Sequence, residues 1–355
     1  MDRHGPQVDL DPAPTSVNQS GLFVWHRAAC APSERPVRML EGAFFGADGQ
    51  GQALSRSELL HNGWGEIGLV TLGAGGPEAL PDRLAITWFS LADDRFYRGE
   101  FELPALRLQQ LFETGFRSPA TSEHSTWDTL LVGLAPGGRV VIWVSGGGLT
   151  VEACHFVAPE VAIDWAALPV SAVAPREEWV RAGLERALGD EGLRKLRKLS
   201  AEGPAGARWD RYRQRWPWQP LLIGAAEDAG RPGPPNQTSL RVRGFNGENE
   251  FIADLSADTV TAEISAVAAV ARSLPRAMVL RYHGADGVRR AAYMQFDEIE
   301  TFAAFSKLHQ RAGASPQLVL HLDVGDAAAG LRLYLCDDMY SLELLAAQVR
   351  VYRSS

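Results

Sequence analysis

Apolar and polar residues alternate along much of the chain in short segments, the pattern expected of β-strands with one buried face. In the first half such segments include Val37–Phe45 and Arg95–Leu103. The turn residues Gly46–Gly49 end the first of them. A helical spacing of apolar residues then follows, with Leu108 and Leu111 on one face. The pattern predicts a mainly antiparallel sheet with one helix in this part of the chain.

The same order of segments recurs in the second half. Leu80–Trp88, which opens with Leu-Pro, has a counterpart in Leu274–Tyr282, 194 positions later. Trp88 falls opposite Tyr282, and a second strand and a helical segment follow in both places. Self-similarity at a long period indicates an internal duplication. We therefore predict an α+β fold of two tandem repeats, each a mainly antiparallel sheet with one helix, joined by a helical insert.

Changes in composition set the predicted boundaries. Residues 1–20 are polar and rich in proline, which predicts a disordered leader. Residues 21–160 form the predicted first repeat, and residues 236–355 form the second. Residues 161–235 lie between them as a helical insert that ends in a Pro/Gly-rich linker.

Helices are expected in three further places. The insert should open a helix at Pro175, because proline and the acidic residues after it suit the first helical turn. Gly230–Pro235 is the clearest linker. In the second repeat, Val260–Arg272 has the apolar spacing of a short helix. The insert should also place three aromatic residues on one buried helical face, namely Trp209, Tyr212 and Trp216.

Composition narrows the possible partners. The 355 residues are 46% apolar and 22% charged, and they carry a net charge of −8 with a pI near 5.6. This balance is typical of a globular protein and argues against a general nucleic-acid or anionic-membrane surface. No segment approaches the roughly 20 apolar residues of a transmembrane helix. Three scattered cysteines are too few for a disulfide framework or a thiolate metal site. Cys154 and Cys336 lie in apolar strand-like segments, which predicts buried and inert thiols.

Sequence motifs for catalysis are weak. Ser145 lies in Val144–Gly148, which lacks the leading glycine and the following helix of a nucleophile elbow. The glycine loop Gly73–Gly76 lacks the lysine of a phosphate-binding loop. The eight histidines show no paired metal-binding spacing. We therefore expect a protein that is not an enzyme, with no catalytic residue, cofactor or metal.

Loop residues are the best candidates for contact with a partner. Trp64 lies in a glycine-rich loop that the second repeat does not share, and large aromatic residues carry much of the energy of protein interfaces. Acidic pairs at predicted hairpin tips, Asp93-Asp94 and Asp337-Asp338, could contact a basic patch on a partner.

Several segments share the character of one known protein family. They are Val37–Gly42 with Asp48-Gly49, Leu80–Ser90, Arg95–Phe101, Gly137–Trp143, Arg215–Trp218 and Phe245–Glu248. With them, the chain resembles a bacterial family known as domain of unknown function 2931 across about residues 22–352. Members of this family are largely lipoproteins of Gram-negative bacteria. They resemble proteins found beside type VI secretion effectors, particularly phospholipase toxins.

The resemblance implies an immunity protein that binds and neutralises a toxin, with no catalytic residues to carry over. It also implies a place in the periplasm or envelope. The sequence as given has no signal peptide, and the residues before Cys30 do not form an apolar signal core, which would favour the cytoplasm. An alternative is an envelope structural module that holds a lipid or glycan in a cleft between the repeats. A third is a hydrolase whose site assembles from distant residues.

Overall fold

The computed structural model describes residues 21–55, 59–68, 70–73, 75–200, 206–223, 238–253, 270–284, 286–312, 318–324 and 330–353. Within them the fold is α+β and mostly sheet. The four α-helices are α1 (Ala105–Thr114), α2 (Arg176–Ser200), α3 (Ala207–Tyr212) and α4 (Glu298–Ala312), and 3-10 turns lie at Trp165–Ala167 and Pro169–Ala172.

The strands are given in chain order. Those before α2 are β1 (Leu22–Phe23), β2 (His26–Cys30), β3 (Val37–Phe45), β4 (Gly51–Ala53), β5 (Leu59–Leu60), β6 (Val70–Thr71), β7 (Glu78–Ala79), β8 (Arg83–Ser90), β9 (Arg95–Glu102), β10 (Phe116–Arg117), β11 (His124–Ser125), β12 (Thr129–Ala135), β13 (Arg139–Gly146), β14 (Leu149–Val157) and β15 (Glu160–Val161). Those after α3 are β16 (Arg215–Ile223), β17 (Ser239–Gly244), β18 (Asn249–Ala253), β19 (Ala271–Ser273), β20 (Pro275–His283), β21 (Arg289–Gln295), β22 (Leu318–Asp323), β23 (Arg332–Cys336), β24 (Ser341–Glu343) and β25 (Gln348–Arg353).

Three sheets contain most of these strands. The largest has ten, in the order β25-β21-β20-β17-β18-β14-β13-β12-β2-β6. A six-stranded sheet has the order β15-β9-β8-β3-β4, with β5 also paired to β3, and a five-stranded sheet has the order β19-β16-β22-β23-β24. The pairs β2–β12 and β16–β22 are parallel, and the other described pairs are antiparallel.

The strands β12 and β13 lie between two cores, which explains why their sequences are continuously apolar. On one face, Val132 and Ile142 join a cluster that includes Phe112 of α1. On the other face, Leu131 and Trp143 pack into a cluster with residues from the second half of the chain. The cores of the two halves therefore share these two strands.

The ten-stranded sheet joins the two halves at one point. Strand β14 pairs with β18 through Thr150 and Asn249. Arg241 and the Asn249 side chain both donate to the carbonyl oxygen of Gly148, at 3.1 and 2.5 Å. We call this junction between β14 and β18 the seam. Few backbone contacts hold it together, and side chains supply additional hydrogen bonds across it.

Two helices, α1 and α2, form where the spacing and the prolines predict them. α1 begins just after Pro104, and α2 begins just after Pro175 and bends at Gly189, where the backbone is not helical. The prediction that Trp209, Tyr212 and Trp216 share one buried helical face is wrong in part. Trp209 and Tyr212 are buried on α3, but Trp216 lies in β16. Proline at position 217 disfavours helix in the residue before it.

The remaining expectations concern segments that are described only in part. Residues 260–269 of the expected helix Val260–Arg272 lie outside the described residues, and Ala271–Ser273 form β19 instead of a helix. The leader, residues 1–20, and the linker Gly230–Pro235 also lie outside them. The proposed domain boundaries stay predictions.

Candidate functional site

Trp64 is buried, in contrast to the surface position that we expected from its glycine-rich loop. Its exposed fraction is 4%. The ring packs edge-on against Trp143, with ring centres 4.8 Å apart, and lies 5.1 Å from the ring of Trp209. Its side chain is therefore part of the core between the two halves and is not available to a partner in this structure.

The loop around Trp64 packs inside the protein, with its backbone close to that of another loop. Gly65 has a φ of 74°, and a Cβ atom there would lie 2.1 Å from the carbonyl oxygen of Gly247. The next residue, Glu66, forms ion pairs with Arg243 at 2.9 Å and Arg276 at 3.0 Å. Glycine fits this position since it accepts a positive φ and leaves room for the opposing backbone.

The first acidic pair lies at the turn between β8 and β9, as predicted. Asp93 accepts hydrogen bonds from the Gly137 backbone N–H at 3.0 Å and from the Tyr97 hydroxyl at 3.2 Å. Burial, together with Asp93, raises the pKa of Tyr97. Asp94 is exposed, has a φ of 51°, and pairs with Arg176 at 2.9 Å. Both carboxylates already have partners within the protein.

The second pair lies at the turn between β23 and β24. Asp337 accepts from the backbone N–H groups of Met339 and Tyr340 at 2.8 and 2.7 Å, a common way for aspartate to stabilise a turn. Asp338 is exposed. The contact of these four aspartates with a partner stays a prediction, but three of them have a local structural role.

A different surface combines exposure with charge. The strands β17, β20, β21 and β25 form one end of the ten-stranded sheet, and alternate residues point to its outer face. We call this surface the arginine–tyrosine face. Its residues are Arg241, Arg243, Val279, Arg281, Arg289, Tyr293, Gln295, Gln348, Arg350 and Tyr352.

The strand register fixes the arrangement of the face. Arg241 lies opposite Val279, which lies opposite Tyr293, which lies opposite Arg350. A parallel row runs through Arg243, Ala277, Gln295 and Gln348, and another runs through Ser239, Arg281, Ala291 and Tyr352. A shallow concavity of about 400 Å³ lies over the first two rows.

The arginines of this face are only partly neutralised. Arg243 pairs with Glu66. Within the described residues, no carboxylate forms an ion pair with the other four, which are Arg241, Arg281, Arg289 and Arg350. Burial lowers the pKa of Arg241, and the neighbouring charges of Arg243 and Arg281 lower it further. A concentration of positive charge therefore lies on one face of a protein whose net charge is −8.

A sheet face in the first half is covered instead. Phe89 of β8 and Phe96 of β9 pack against each other, and Phe89 lies 5.7 Å from the Trp179 ring on α2. Trp165 and Leu184 pack against the same cluster. The helical insert thus covers part of the six-stranded sheet. Within the described residues, no comparable apolar cluster covers the arginine–tyrosine face.

A second concave surface lies at the seam between the halves. It has a volume of about 400 Å³, and we call it the seam cleft. Its lining combines apolar side chains with charged ones, including Phe116, Trp127, Phe251, Arg117, Arg272 and Glu250. Arg272 already pairs with Glu250 at 3.0 Å.

The cysteine thiols lie where burial disfavours the thiolate. Burial raises the pKa of Cys30 and of Cys154 to about 12, and it also raises that of Cys336. The Cys336 sulfur is 3.6 Å from the Nδ1 atom of His321. Since the thiolate is the nucleophilic form, this geometry gives no activated cysteine. Among the described residues, no cluster of three metal-binding side chains occurs.

Part of the arginine–tyrosine face is visible in the sequence as an alternating pattern, which a search for candidate residues in loops does not find. Arginine and tyrosine recur at every second position in Arg241-Val242-Arg243 and Arg350-Val351-Tyr352. A period of two places both members of a pair on the same face of a strand. The alternation is visible in the sequence, but which strands lie side by side is not.

One protein family matches part of the chain. Residues 12–185 match the family described as a protein of unknown function (DUF2931), which confirms the resemblance over that part of the chain. No curated protein and no solved structure matches the chain. In the described residues, no helix is long and apolar enough to cross a membrane.

Proposed function

With residues 12–185 assigned to the DUF2931 family, we propose that this protein is a non-enzymatic binding protein. In this proposal it is an immunity protein that binds and neutralises an antibacterial effector of type VI secretion, of the phospholipase or lipase class. The observation that carries the proposal is the exposed arginine–tyrosine face on a rigid sheet. Arginine and tyrosine are enriched among the residues that dominate binding energy at protein interfaces.

The scaffold suits recognition of a large partner. Strands β17, β20 and β21 are each hydrogen-bonded on both sides, so the face is held in shape before a partner arrives. Preorganisation lowers the entropy that binding costs. Tyr293 and Tyr352 are 48% and 51% exposed, which leaves large aromatic area available for contact.

We further propose that the scaffold is duplicated. In the first half, strands pair in the orders β4-β3-β8-β9-β15 and β6-β2-β12-β13-β14. In the second half the orders are β18-β17-β20-β21-β25 and β19-β16-β22-β23-β24. Taken strand by strand, the two halves have the same neighbours, and the single parallel pair occurs at the same place in each.

Under this proposal, binding evolved where the copies differ. The helical insert covers part of the β8–β9 face of the first copy, whereas the corresponding β20–β21 face of the second copy has arginine and tyrosine. The resemblance to lipoproteins supports a periplasmic or envelope location. A toxin that acts on membrane lipids would be met there before it reaches its substrate.

Coexpression with the product of the adjacent gene tests the role. We expect the two proteins to copurify as a stoichiometric complex. We also expect cells that express the toxin in the periplasm to grow only when this protein is directed to the same compartment. A catalytically inactive toxin variant allows the complex to be isolated when the active toxin kills the cells. Absence of both binding and protection would refute the immunity role.

The seam cleft supports a second candidate, an envelope module that holds a lipid or glycan. Its volume of about 400 Å³ falls in the usual range for small-molecule sites, and its lining is partly aromatic. Native mass spectrometry of the purified protein would detect a retained ligand. We expect a Trp127→Ala variant to lose it if the cleft is the site.

A further inference from the structure

We infer that the arginine–tyrosine face docks an acidic protein surface, on which carboxylates surround an apolar centre. This inference rests on the proposed function, because it names the chemistry of the partner. It also departs from the expectation that acidic residues of this protein contact a basic patch. In the described part of the ten-stranded sheet, the charged side chains without an ion pair on this face are arginines.

The positive charge of the face favours an acidic partner. Arg241, Arg281, Arg289 and Arg350 have no ion pair with a carboxylate in the described parts of the chain, although the protein has 43 acidic and 35 basic residues. Elsewhere, arginines commonly do pair, as Arg213 does with Glu152 and Arg215 with Glu248. A partner with matching carboxylates would neutralise the four arginines together, which fixes orientation and speeds association.

Three of these four arginines are close neighbours on the sheet. Arg281 lies opposite Ser239, two residues from Arg241, so these guanidinium groups are diagonal neighbours on adjacent strands. Arg289 lies two residues from Ala291, which is opposite Arg281. Adjacent strands lie about 4.8 Å apart, and therefore Arg241, Arg281 and Arg289 form a diagonal band across three strands. Arg350 lies in the row of Arg241, beyond Val279 and Tyr293.

The tyrosines supply the apolar centre. The rings of Tyr293 and Tyr352 meet edge-on, with centres 5.6 Å apart and planes at 80°. Val279 lies opposite Tyr293 on the neighbouring strand. An interface typically has such an apolar centre with a polar rim, in which aromatic residues and arginine are enriched.

The net charge discriminates among acidic partners. Nucleic acids and anionic membranes present negative charge over a wide area, and they would meet the remaining surface of a protein whose net charge is −8. A protein surface with a local acidic patch needs to match only the arginine–tyrosine face. We therefore favour a protein over either polyanion.

The test uses the purified full chain and three defined probes: a fluorescein-labelled poly-L-glutamate of about 20 residues, an oligo-dT of about equal charge, and phosphatidylcholine vesicles containing phosphatidylglycerol. Binding is measured by fluorescence anisotropy or by vesicle sedimentation at low and high salt. The test variant has Arg241→Glu, Arg281→Glu, Arg289→Glu and Arg350→Glu. The matched control reverses four exposed charges on α2, with Arg186→Glu, Arg194→Glu, Arg197→Glu and Lys198→Glu.

We expect poly-glutamate to bind the native chain and the control variant alike, and the test variant at least about tenfold more weakly. Binding should weaken at high salt. Equal binding of poly-glutamate to both variants, or no binding to the native chain, would overturn the inference. Tighter binding of oligo-dT or vesicles through the same arginines would overturn the choice of a protein partner. Circular dichroism checks that both variants are folded, and single Arg281→Glu and Arg350→Glu variants replace the fourfold one if it is not.

Failure here is distinguishable from failure of the immunity role. Protection of cells with no loss in the test variant would keep the immunity role and reject this face. Poly-glutamate binding without any protection would keep the acidic-surface chemistry and reject the immunity role.

Discussion

Replacing Gly65 by alanine tests whether the glycine-rich loop packs against the loop that contains Gly247. An alanine Cβ at this position would lie 2.1 Å from the Gly247 carbonyl oxygen and 2.5 Å from its Cα atom. Both atoms belong to the backbone, so no side-chain rotation can relieve the contact. The two loops would have to separate by roughly 1 Å, and the packing of Trp64 and Trp143 would change with them.

The expected loss of stability has two parts. Alanine at the observed φ of 74° costs about 1 kcal/mol whatever surrounds it. Overpacking against a fixed backbone adds about 1–3 kcal/mol. We therefore expect Gly65→Ala to lower the free energy of unfolding by about 2–4 kcal/mol.

Gly49→Ala is the matched control, because Gly49 has a φ of 75° and no atom within 4 Å of the added Cβ. Its loss should be only the backbone part, about 1 kcal/mol. Urea denaturation followed by tryptophan fluorescence measures both variants. Equal losses for Gly65→Ala and Gly49→Ala would show that the two loops do not meet, and would contradict this part of the structure.

Three further predictions concern stability. Glu298→Ala should lower the free energy of unfolding, measured by urea denaturation, by about 2–3 kcal/mol, because it removes the carboxylate that pairs with Arg208 and Arg211 and accepts a 2.7 Å hydrogen bond from Tyr212. The control, Glu185→Ala, removes an exposed ion pair on α2 and should cost at most about 0.5 kcal/mol. Equal costs for the two variants would contradict the structural role of Glu298. Trp64→Ala should cost about 3–5 kcal/mol through the cavity that it leaves, and a loss under about 1 kcal/mol would mean that the ring is exposed in solution. Burial lowers the pKa of His155 and His321 in the folded protein. As the pH falls below about 6.5, these histidines take up protons in the unfolded chain first, and the free energy of unfolding should decrease. Urea midpoints at pH 7.5 and 5.5 measure this effect, and a higher midpoint at pH 5.5 would contradict it.

Much of the fold could be predicted because local pattern determines it. Val37–Phe45 is a strand with the predicted bounds, since its alternation and its turn are both explicit in the sequence. The two continuous apolar runs, Thr129–Leu134 and Val140–Val144, also form strands. Their burial on both faces depends on a neighbouring core from the other half, which no local pattern encodes.

The errors have a common physical origin. Glycine around Trp64 suggested an open loop, but Gly65 lies where the backbone closely approaches that of Gly247. The contact of the acidic tips with a partner stays a prediction; within the protein, Asp93 and Asp337 accept hydrogen bonds from backbone N–H groups. The candidate face was missed because its residues come from strands far apart in sequence, and only the sheet order brings them together.

We propose that this protein neutralises a partner by binding it through the arginine–tyrosine face. The most direct measurement is the affinity of the copurified toxin, by calorimetry, for the native chain and for the Arg241→Glu, Arg281→Glu, Arg289→Glu, Arg350→Glu variant. We predict at least about a hundredfold loss of affinity in the variant, with loss of protection in cells. Unchanged affinity in the folded variant would contradict the claim.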